Sequence, residues 1–281
     1  MDSSVKITAK EVNDLRQITG AGMMDCKKAL VEANGDFEAA IEYLRKKGQK
    51  VAANRADRTA TEGAAIAKTN AEGTKGVALV VGCETDFVAK NEDFVAFAHS
   101  VADAALANMP ADLDALLNLS VDGVTIADRL TEQVGKIGEK IEISQYNTLE
   151  APGVIAYIHA GNRIGVLVAV NKAKTQVIEE VGKDVAMQTA AMKPVALDED
   201  SVPQNVIDKE LEIGREQALA EGKPENMVDK ISQGKLKKYF KDNTLLNQQF
   251  VKDNDKSVRE YVKSIDKDLA VTDFKRVAIG K

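Results

Sequence analysis

The sequence is poor in the residues from which metal, redox and membrane-spanning sites are built. Its 281 residues include two cysteines, two histidines and no tryptophan, and aromatic residues make up only 4% of the chain. Cys26 and Cys83 stand in no metal or redox spacing, which predicts reduced thiols and no bound metal. No apolar run approaches the length that crosses a bilayer. We therefore expect a soluble protein without a metal site or a cofactor.

The charge balance and the amino terminus indicate which partners and which cellular location to expect. Thirty-eight basic residues stand against 44 acidic ones, a net charge of −6, whereas nucleic acids and membrane surfaces attract a large positive field. Residues 1–6 lack both the apolar core of a signal peptide and the arginine-rich character of a transit sequence. We expect a cytoplasmic protein that contacts neither nucleic acid nor membrane directly.

Catalytic motifs are also missing from the sequence. None of the Gly-Lys pairs is followed by Ser or Thr, which rules out a phosphate-binding loop of the Walker type. His99 and His159 form no His-Glu-x-x-His pattern, and no spacing supports a Ser-His-Asp triad. The sequence thus predicts no catalytic residue and no enzyme.

Three short helices are predicted between residues 5 and 48. Thr8 and Glu11 predict a capping box at the start of the first helix, and Asn34-Gly35 is a left-handed end signal for the second. Asp36 is placed to cap the third helix. Apolar residues at helical spacing predict the buried faces: Val12, Leu15 and Ile18, then Met23, Cys26, Leu30 and Ala33, then Phe37, Ala40, Ile41 and Leu44.

A basic segment follows between residues 45 and 62, with six Lys and Arg side chains and little apolar periodicity. A solvated, partly helical tether is the plainer interpretation, and a basic arm for nucleic acid is the alternative.

The rest of the chain contains an internal duplication. From residue 63, and again from residue 153, the pattern predicts a strand, a turn, a strand and a helix that ends near a Met and a Pro. Each half later supplies one more strand, predicted at 139–146 and at 272–279. Two related lobes satisfy this order, each with a small antiparallel sheet covered by helices.

The second lobe is interrupted by a predicted pair of helices. The apolar seam of the first helix is Ile207, Leu211, Gly214 and Ala218, and that of the second begins with Met227, Ile231 and Gly234. Two such helices form a helical hairpin, and an isolated hairpin cannot bury the apolar residues of both its faces without a further contact.

The predicted fold class is therefore α+β, with a three-helix N-terminal module, two related lobes with small antiparallel sheets and an inserted helical hairpin. The predicted divisions are residues 1–48 for the N-terminal domain, 49–62 for the linker, 63–150 for the first lobe and 151–281 for the second, with the hairpin at about 198–241.

Three runs of residues carry the most specific signal: Arg16–Leu30, Cys83–Phe94 and His159–Val168. In the second run, Asp86-Phe87 lies between a buried strand and a helix that begins near Asn91, where a large apolar ring has no strand or helix face to pack against. In this order the runs closely resemble the elongation factor Ts family, the guanine-nucleotide exchange factors of elongation factor Tu. With a fourth, weaker run at Leu245–Val251, they span almost the whole chain.

The resemblance implies a fold, a partner and a set of contacts. The N-terminal helices would form a ubiquitin-associated-like fold, and the partner would be elongation factor Tu, GDP-bound or nucleotide-free. The helical hairpin would be a coiled coil for partner or self-association, with simple packing on its parent lobe as the alternative, which leaves a homodimer or a two-to-two complex open. The implied contact residues are Thr85, Asp86, Phe87 and Val88 in a tip that disturbs the partner's magnesium site, Arg16, Gly22, Met23 and Met24 in the N-terminal domain, and His159, Gly161 and Arg163 in the second lobe.

The residues alone leave other interpretations of these runs open. In one, Asp86 caps the next turn while Phe87 folds back onto its own lobe. In another, Met23 and Met24 are ordinary helix core, although adjacent helix positions point about 100° apart, so at least one should be exposed. Turn chemistry by itself explains Gly161-Asn162. Two rival functions also stay open: a non-catalytic module that binds ubiquitin-like or other small partners, and a ribosome- or RNA-associated factor.

Overall fold

The computed structural model describes residues 6–280. Residues 1–5, which bear on the targeting-signal prediction, lie outside the described residues, as does residue 281. The chain divides into two compact units. The first contains the residues up to 66, residues 79–146 and those from 278 onward, and the second contains residues 67–78 and 147–277. The domain boundaries expected from the sequence stay a prediction.

Three helices open the chain: α1 (Ala9–Thr19), α2 (Met23–Glu32) and α3 (Phe37–Arg55). The capping box of α1 is confirmed, because Thr8 Oγ1 accepts a hydrogen bond from Glu11 N–H at 3.2 Å and the Glu11 carboxylate accepts one from Thr8 N–H at 2.7 Å. After α2 the chain turns through the left-handed residues Asn34 (φ 50°) and Gly35 (φ 84°), and the Asp36 side chain caps α3. The predicted helix starts at Thr8 and Asp36 and the predicted helix end at Asn34-Gly35 are therefore confirmed.

These helices share one small apolar core, which contains Val12, Leu15, Cys26, Ala29, Leu30 and Ala40. Two residues of the predicted helical faces lie outside this core, namely Ile18 and Met23, which are 64% and 59% exposed. Both side chains flank the left-handed turn at Gly20 (φ 65°), beyond the part of α1 and α2 that packs together. Helical spacing identified the buried stripe but not where along each helix the packing stops.

The third helix runs without a break across residue 48 and lies along α7 (Ile126–Ile137). The two helices approach most closely at a pair of glycines, where a Cβ added to Gly135 would lie 2.9 Å from the Cα of Gly48. Up to Arg55, the basic segment is therefore a packed helix rather than a solvated tether.

The first lobe continues from there. Its elements are β1 (Glu62–Thr69), β2 (Lys75–Cys83), α4 (Asp86–Ala89), α5 (Glu92–Asn108), α6 (Leu113–Asn118), β3 (Ser120–Val121), β4 (Val124–Thr125), α7 and β5 (Glu142–Glu150). The main sheet has the order β1-β2-β5. Its last strand begins three residues later than predicted, because α7 ends at the left-handed Gly138 (φ 82°) and the chain needs residues 139–141 to reach the sheet.

The second lobe repeats the plan. Its elements are β6 (Gly153–His159), β7 (Ile164–Val170), α8 (Gln176–Met192), a 3-10 turn (Glu199–Ser201), α9 (Gln204–Ala220), α10 (Glu225–Asn243), β8 (Gln249–Phe250), β9 (Asp253–Ser257), α11 (Val258–Ile265) and β10 (Val271–Ala278). The main sheet has the order β10-β7-β6, which matches the first lobe strand for strand. Its inner face packs against α8 around the buried side chains of Ile155, Val168 and Val185.

The duplication extends to the ends of the covering helices. Both α5 and α8 contain 17 residues. Each ends at a left-handed residue other than glycine, Met109 (φ 46°, ψ 56°) and Lys193 (φ 47°, ψ 54°), and a proline follows each of them. The predicted pair of related α+β lobes is confirmed.

The inserted hairpin consists of α9 and α10, which pack against each other. Their shared seam contains Gly214, Ala218, Val228, Ser232 and Leu236. Gly214 permits the close approach, because an added Cβ would lie 2.9 Å from the Ser232 hydroxyl. The seam predicted for α10 was off by one position, since Met227 is 41% exposed and its neighbour Val228 is buried.

Candidate partner-binding site

The two lobes differ in the connection between the β-hairpin and the helix that covers the sheet, which is β2 to α5 in the first lobe and β7 to α8 in the second. In the second lobe this connection has five residues, 171–175, whereas in the first it has eight, 84–91, and carries the single-turn helix α4. Thr85 caps α4 by accepting a hydrogen bond from Val88 N–H at 3.4 Å, and Asn91 caps α5. We call residues 85–88 the tip. The tip is an addition to a duplicated plan, so packing of the lobe does not by itself require it.

The base of the tip is held by a carboxylate from the far side of the lobe. Glu139 accepts hydrogen bonds from Glu84 N–H at 3.1 Å, from Thr85 N–H at 3.0 Å and from the Thr85 hydroxyl at 2.7 Å. Charge-assisted bonds of this kind are about twice as strong as neutral ones. The start of α4 is therefore fixed, although no side chain of α4 is fully buried.

A second carboxylate ties the same segment to the N-terminal helices. The Glu84 carboxylate accepts two hydrogen bonds from the Arg55 guanidinium, at 3.0 and 3.1 Å, and a third from Lys140 N–H at 2.7 Å. Arg55 is the last residue of α3. The tip therefore keeps a defined position relative to α3 within the first compact unit.

The side chains presented by the tip are an apolar ring and a carboxylate. Phe87 is 84% exposed, so the interpretation in which it folds back onto its own lobe is wrong. Asp86 does not cap the turn, because Thr85 does; it instead accepts a hydrogen bond from Lys90 Nζ at 2.7 Å. That bond and the Lys90 charge hold the pKa of Asp86 below its usual range. An ionised carboxylate thus lies next to an uncovered phenyl ring.

The cysteine next to the tip is chemically quiet. Burial and the nearby Glu139 and Glu62 carboxylates raise the pKa of Cys83 to about 12, and its thiol donates to the Thr85 carbonyl at 3.2 Å. A thiol in this state stays protonated near neutral pH and does not act as a nucleophile.

The N-terminal run forms an exposed apolar surface around the turn between α1 and α2. Met23 is 59% and Met24 75% exposed, so both side chains reach solvent, where the sequence required only one. Gly22 is the N-cap residue of α2, and Arg16 is exposed in the last turn of α1. Ile18, at 64% exposure, extends this surface, although its spacing had assigned it to the core.

The second-lobe run forms a four-residue turn between β6 and β7. Ala160, Gly161 and Asn162 are all left-handed, with φ values of 52°, 62° and 65°, and Arg163 N–H donates to the His159 carbonyl at 3.2 Å. His159 is partly buried, with Nδ1 2.9 Å from the Tyr157 hydroxyl, whereas Gly161 and Arg163 are exposed. Turn chemistry accounts for the backbone conformation, and Gly161 and Arg163 lie on the exposed surface of the turn.

Comparison with known proteins identifies the family. The model for the family described as "Elongation factor TS" matches residues 84–281. Proteins named elongation factor Ts in Christiangramia forsetii and Flavobacterium psychrophilum are 58% and 57% identical over 275 and 274 residues. In each case the match covers 98% of this chain and 99% of the relative. The chain belongs to the elongation factor Ts family. The resemblance seen in the sequence is thereby confirmed, and the chain is a translation elongation factor.

Within this elongation factor Ts chain, sequence reasoning missed the residues that hold the tip. Glu139 had been assigned to a strand, and Arg55 to a solvated segment. The signals that point to them are slight: Gly138 ends a helix just before Glu139, and Arg55 is one of several basic residues in a row. Their partners lie 54 and 29 positions away along the chain, so no local pattern pairs them.

The described part of the chain contains neither a candidate membrane-spanning helix nor a candidate metal-binding cluster. Over residues 6–280, no helix is both long and apolar enough to cross a membrane. Within the same range, no three His, Cys, Asp or Glu side chains are grouped so that they could hold a metal ion.

Proposed function

We propose that this chain binds elongation factor Tu carrying GDP, disturbs its magnesium and phosphate site, and so promotes the release of GDP and the binding of GTP. The observation that carries the proposal is the state of Phe87, which is 84% exposed on a segment whose base is fixed by Glu139 and Glu84. Leaving a phenyl ring in water forgoes about 1.5–3 kcal/mol of burial energy. A lobe that could fold without the tip gains nothing from that arrangement unless the ring is buried in a partner.

The tip acts by displacement rather than by chemistry. GTPases hold their nucleotide through a magnesium ion that bridges phosphate oxygens and through loop amides. The ring of Phe87 wedges into the partner beside this site, while the ionised Asp86 brings a negative charge towards the phosphates and their cation. The exchange needs no covalent step, no catalytic residue and no cofactor from this chain, which acts in the cytoplasm.

The other two runs supply affinity. Met23 and Met24 are exposed side by side, and methionine adapts well to a binding surface. With Arg16 and Gly22 they form the N-terminal contact with the partner. His159, Gly161 and Arg163 form the contact from the second lobe.

The pairing of the basic segment disfavours the RNA-associated alternative. Four of its six basic side chains form ion pairs: Arg45 with Glu132 at 3.2 Å, Lys46 with Glu42 at 2.7 Å, Lys47 with Asp25, and Arg55 with Glu84 at 3.0 Å. Cations that are already paired release fewer counterions when they meet phosphate. We infer that the chain makes no direct contact with nucleic acid.

The decisive experiment mixes the protein with elongation factor Tu that carries a fluorescent GDP analogue. We expect the release of the analogue, followed by stopped flow, to accelerate with the concentration of this chain. Unchanged release would reject exchange and favour the non-catalytic binding module. Salt-sensitive binding of RNA that disappears when the basic residues from Arg45 to Arg58 are neutralised would favour the ribosome-associated factor. Sedimentation of the mixture tests for a homodimer or a two-to-two complex.

A further inference from the structure

A cleft of about 550 Å³ lies in the second compact unit, and none of its lining residues belongs to the three family runs. One wall is β10, an edge strand of its sheet, and the other is the segment that follows α8. The lining includes Asn147, Ser201 and the stretches Lys193–Leu197 and Thr272–Arg276. Clefts of this size hold small organic molecules.

The guanidinium of Arg276, in this lining, has no counterion. Its Nε is fully buried and makes no hydrogen bond, and Arg276 forms no ion pair with any residue between 6 and 280. Burial also lowers the pKa of the guanidinium, with no nearby charge opposing the effect. Arg276 as a whole is half-buried, so the unfavourable part is its buried Nε–H, and a polar group buried without a partner costs free energy that a ligand can recover.

The other charged residues of the lining add to the excess of positive charge in the cleft. Lys193 and Lys275 add two cations, and Asp273 is the single carboxylate in the lining. Asp273 is already engaged, since it accepts hydrogen bonds from Lys275 Nζ at 2.8 Å and from Phe274 N–H at 2.7 Å. Three cations thus face one occupied carboxylate, in a chain whose net charge is −6.

The rest of the lining is apolar. Pro194, Val195, Ala196, Leu197 and Phe274 line the cleft beside the cations. Val195 is 58% exposed, so part of this apolar surface is uncovered at present. The cleft therefore fits a molecule with an anionic group at one end and a small apolar body at the other.

We propose that this cleft is a binding site for a small organic oxyanion, whose carboxylate or phosphate group pairs with Arg276 while its apolar part lies against Val195 and Phe274. The planar guanidinium donates to either group through parallel hydrogen bonds, which a lysine cannot do. Lys193 adds long-range attraction at the mouth. The site is independent of the exchange function proposed above, because it contains none of the residues assigned to the tip or to the other two contacts.

The test is a thermal-shift and calorimetric titration of the full chain with inorganic phosphate, acetate and N-acetyl-leucine. We expect at least one of phosphate and N-acetyl-leucine to bind and, at about ten times its Kd, to raise the Tm by about 3 °C. Stronger binding of N-acetyl-leucine than of acetate identifies an apolar carboxylate as the ligand class, and preference for phosphate identifies an organic phosphate.

Two variants separate this site from general charge effects. Arg276→Met should weaken binding by at least tenfold while leaving the unliganded protein as stable as the wild type or more so, since it removes a buried Nε–H that has no hydrogen-bond partner. Arg215→Met removes the same charge from the hairpin, where Arg215 is paired with Asp229 at 2.8 Å, and should bind as tightly as the wild type. Arg276→Lys keeps the positive charge but loses the planar guanidinium and its parallel hydrogen bonds, so this variant should bind the anion more weakly than the wild type.

Three results would overturn the proposal. The first is the absence of any shift with phosphate or N-acetyl-leucine up to about 50 mM, a range that covers even weak millimolar binding. The second is equal binding by the wild type and Arg276→Met. The third is a marked loss of stability in unliganded Arg276→Met, which would show that the guanidinium stabilises the fold without a ligand.

Discussion

Replacing Phe87 by alanine tests the role of the ring in nucleotide exchange separately from the stability of the fold. The ring is 84% exposed, so its removal should change the free energy of unfolding by less than about 0.5 kcal/mol. In the proposed complex with elongation factor Tu the same ring is buried, which would contribute about 1.5–3 kcal/mol. Since each 1.4 kcal/mol corresponds to a factor of ten, Phe87→Ala should slow nucleotide exchange by about ten- to a hundredfold.

The assay is stopped-flow release of a fluorescent GDP analogue from elongation factor Tu, with urea unfolding of the free variant alongside. Val177→Ala is a matched control, because Val177 is a 55% exposed apolar residue at the start of α8, outside the proposed contacts. The control should exchange at the wild-type rate. If Phe87→Ala exchanges as fast as the control, the wedge role is wrong. If it unfolds much more easily than the wild type, the ring has a structural role that its exposure does not reveal.

Three further perturbations test how the tip and its scaffold are held. Glu139→Ala removes the acceptor of three hydrogen bonds at the base of the tip; it should cost about 2–3 kcal/mol in urea unfolding and slow exchange although Phe87 is intact, and unaltered unfolding would contradict this role. Lys90→Met removes the partner that lowers the pKa of Asp86. The stabilising pair is present above the unfolded pKa and lost as pH falls through the folded one, so in the variant the carboxylate should protonate at a higher pH; an NMR titration giving the wild-type pKa would refute the pairing. Gly135→Ala should destabilise the chain by about 1–3 kcal/mol, because α3 must move away from α7, whereas Gly234→Ala, with open space around the added Cβ, should stabilise it by up to about 1 kcal/mol. Equal effects of the two glycine substitutions on denaturant unfolding would show that the helix contact is not tight.

The features that the sequence predicts well are those encoded by neighbouring residues. The capping box at Thr8, the left-handed turn at Asn34 and the N-cap of α3 at Asp36 each depend on groups only a few positions apart in the chain. The two β-hairpins follow from apolar runs separated by turn residues, and their repetition predicts two lobes. The exposed ring of Phe87 also follows from local order, because the connection offers it no face of its own.

The features that the sequence does not predict depend on distant partners. Glu139 reads as the start of a strand until the tip is brought beside it, and Arg55 as a solvated cation until α3 is packed on α7. The exposure of Ile18 is not predicted for a related reason, since helical spacing gives the direction of a side chain and not what lies opposite it. In α10, the choice between Met227 and Val228 depends on how α9 approaches, which Gly214 and Ser232 decide.

The energetics of exchange explain why the tip is tied to α3. A nucleotide bound at nanomolar affinity is held by about 12 kcal/mol, whereas burial of one phenyl ring supplies about 1.5–3 kcal/mol. Coupling is reciprocal, so the energy that weakens GDP must come from contacts that favour the nucleotide-free partner, and most of those contacts must lie away from the tip. Arg55, at the end of α3, holds Glu84, and α7, which packs on α3, leads directly into Glu139, which holds Thr85. Both sides of the tip's base are thus anchored to α3 and α7, and α3 packs in turn against α1 and α2, which present the N-terminal contact surface. A partner that docks on that surface meets Phe87 at a fixed position, so docking energy gained there is available to drive the ring in. If the tip were on a flexible loop, the loop could move away from the partner, and the docking energy would not act on the ring.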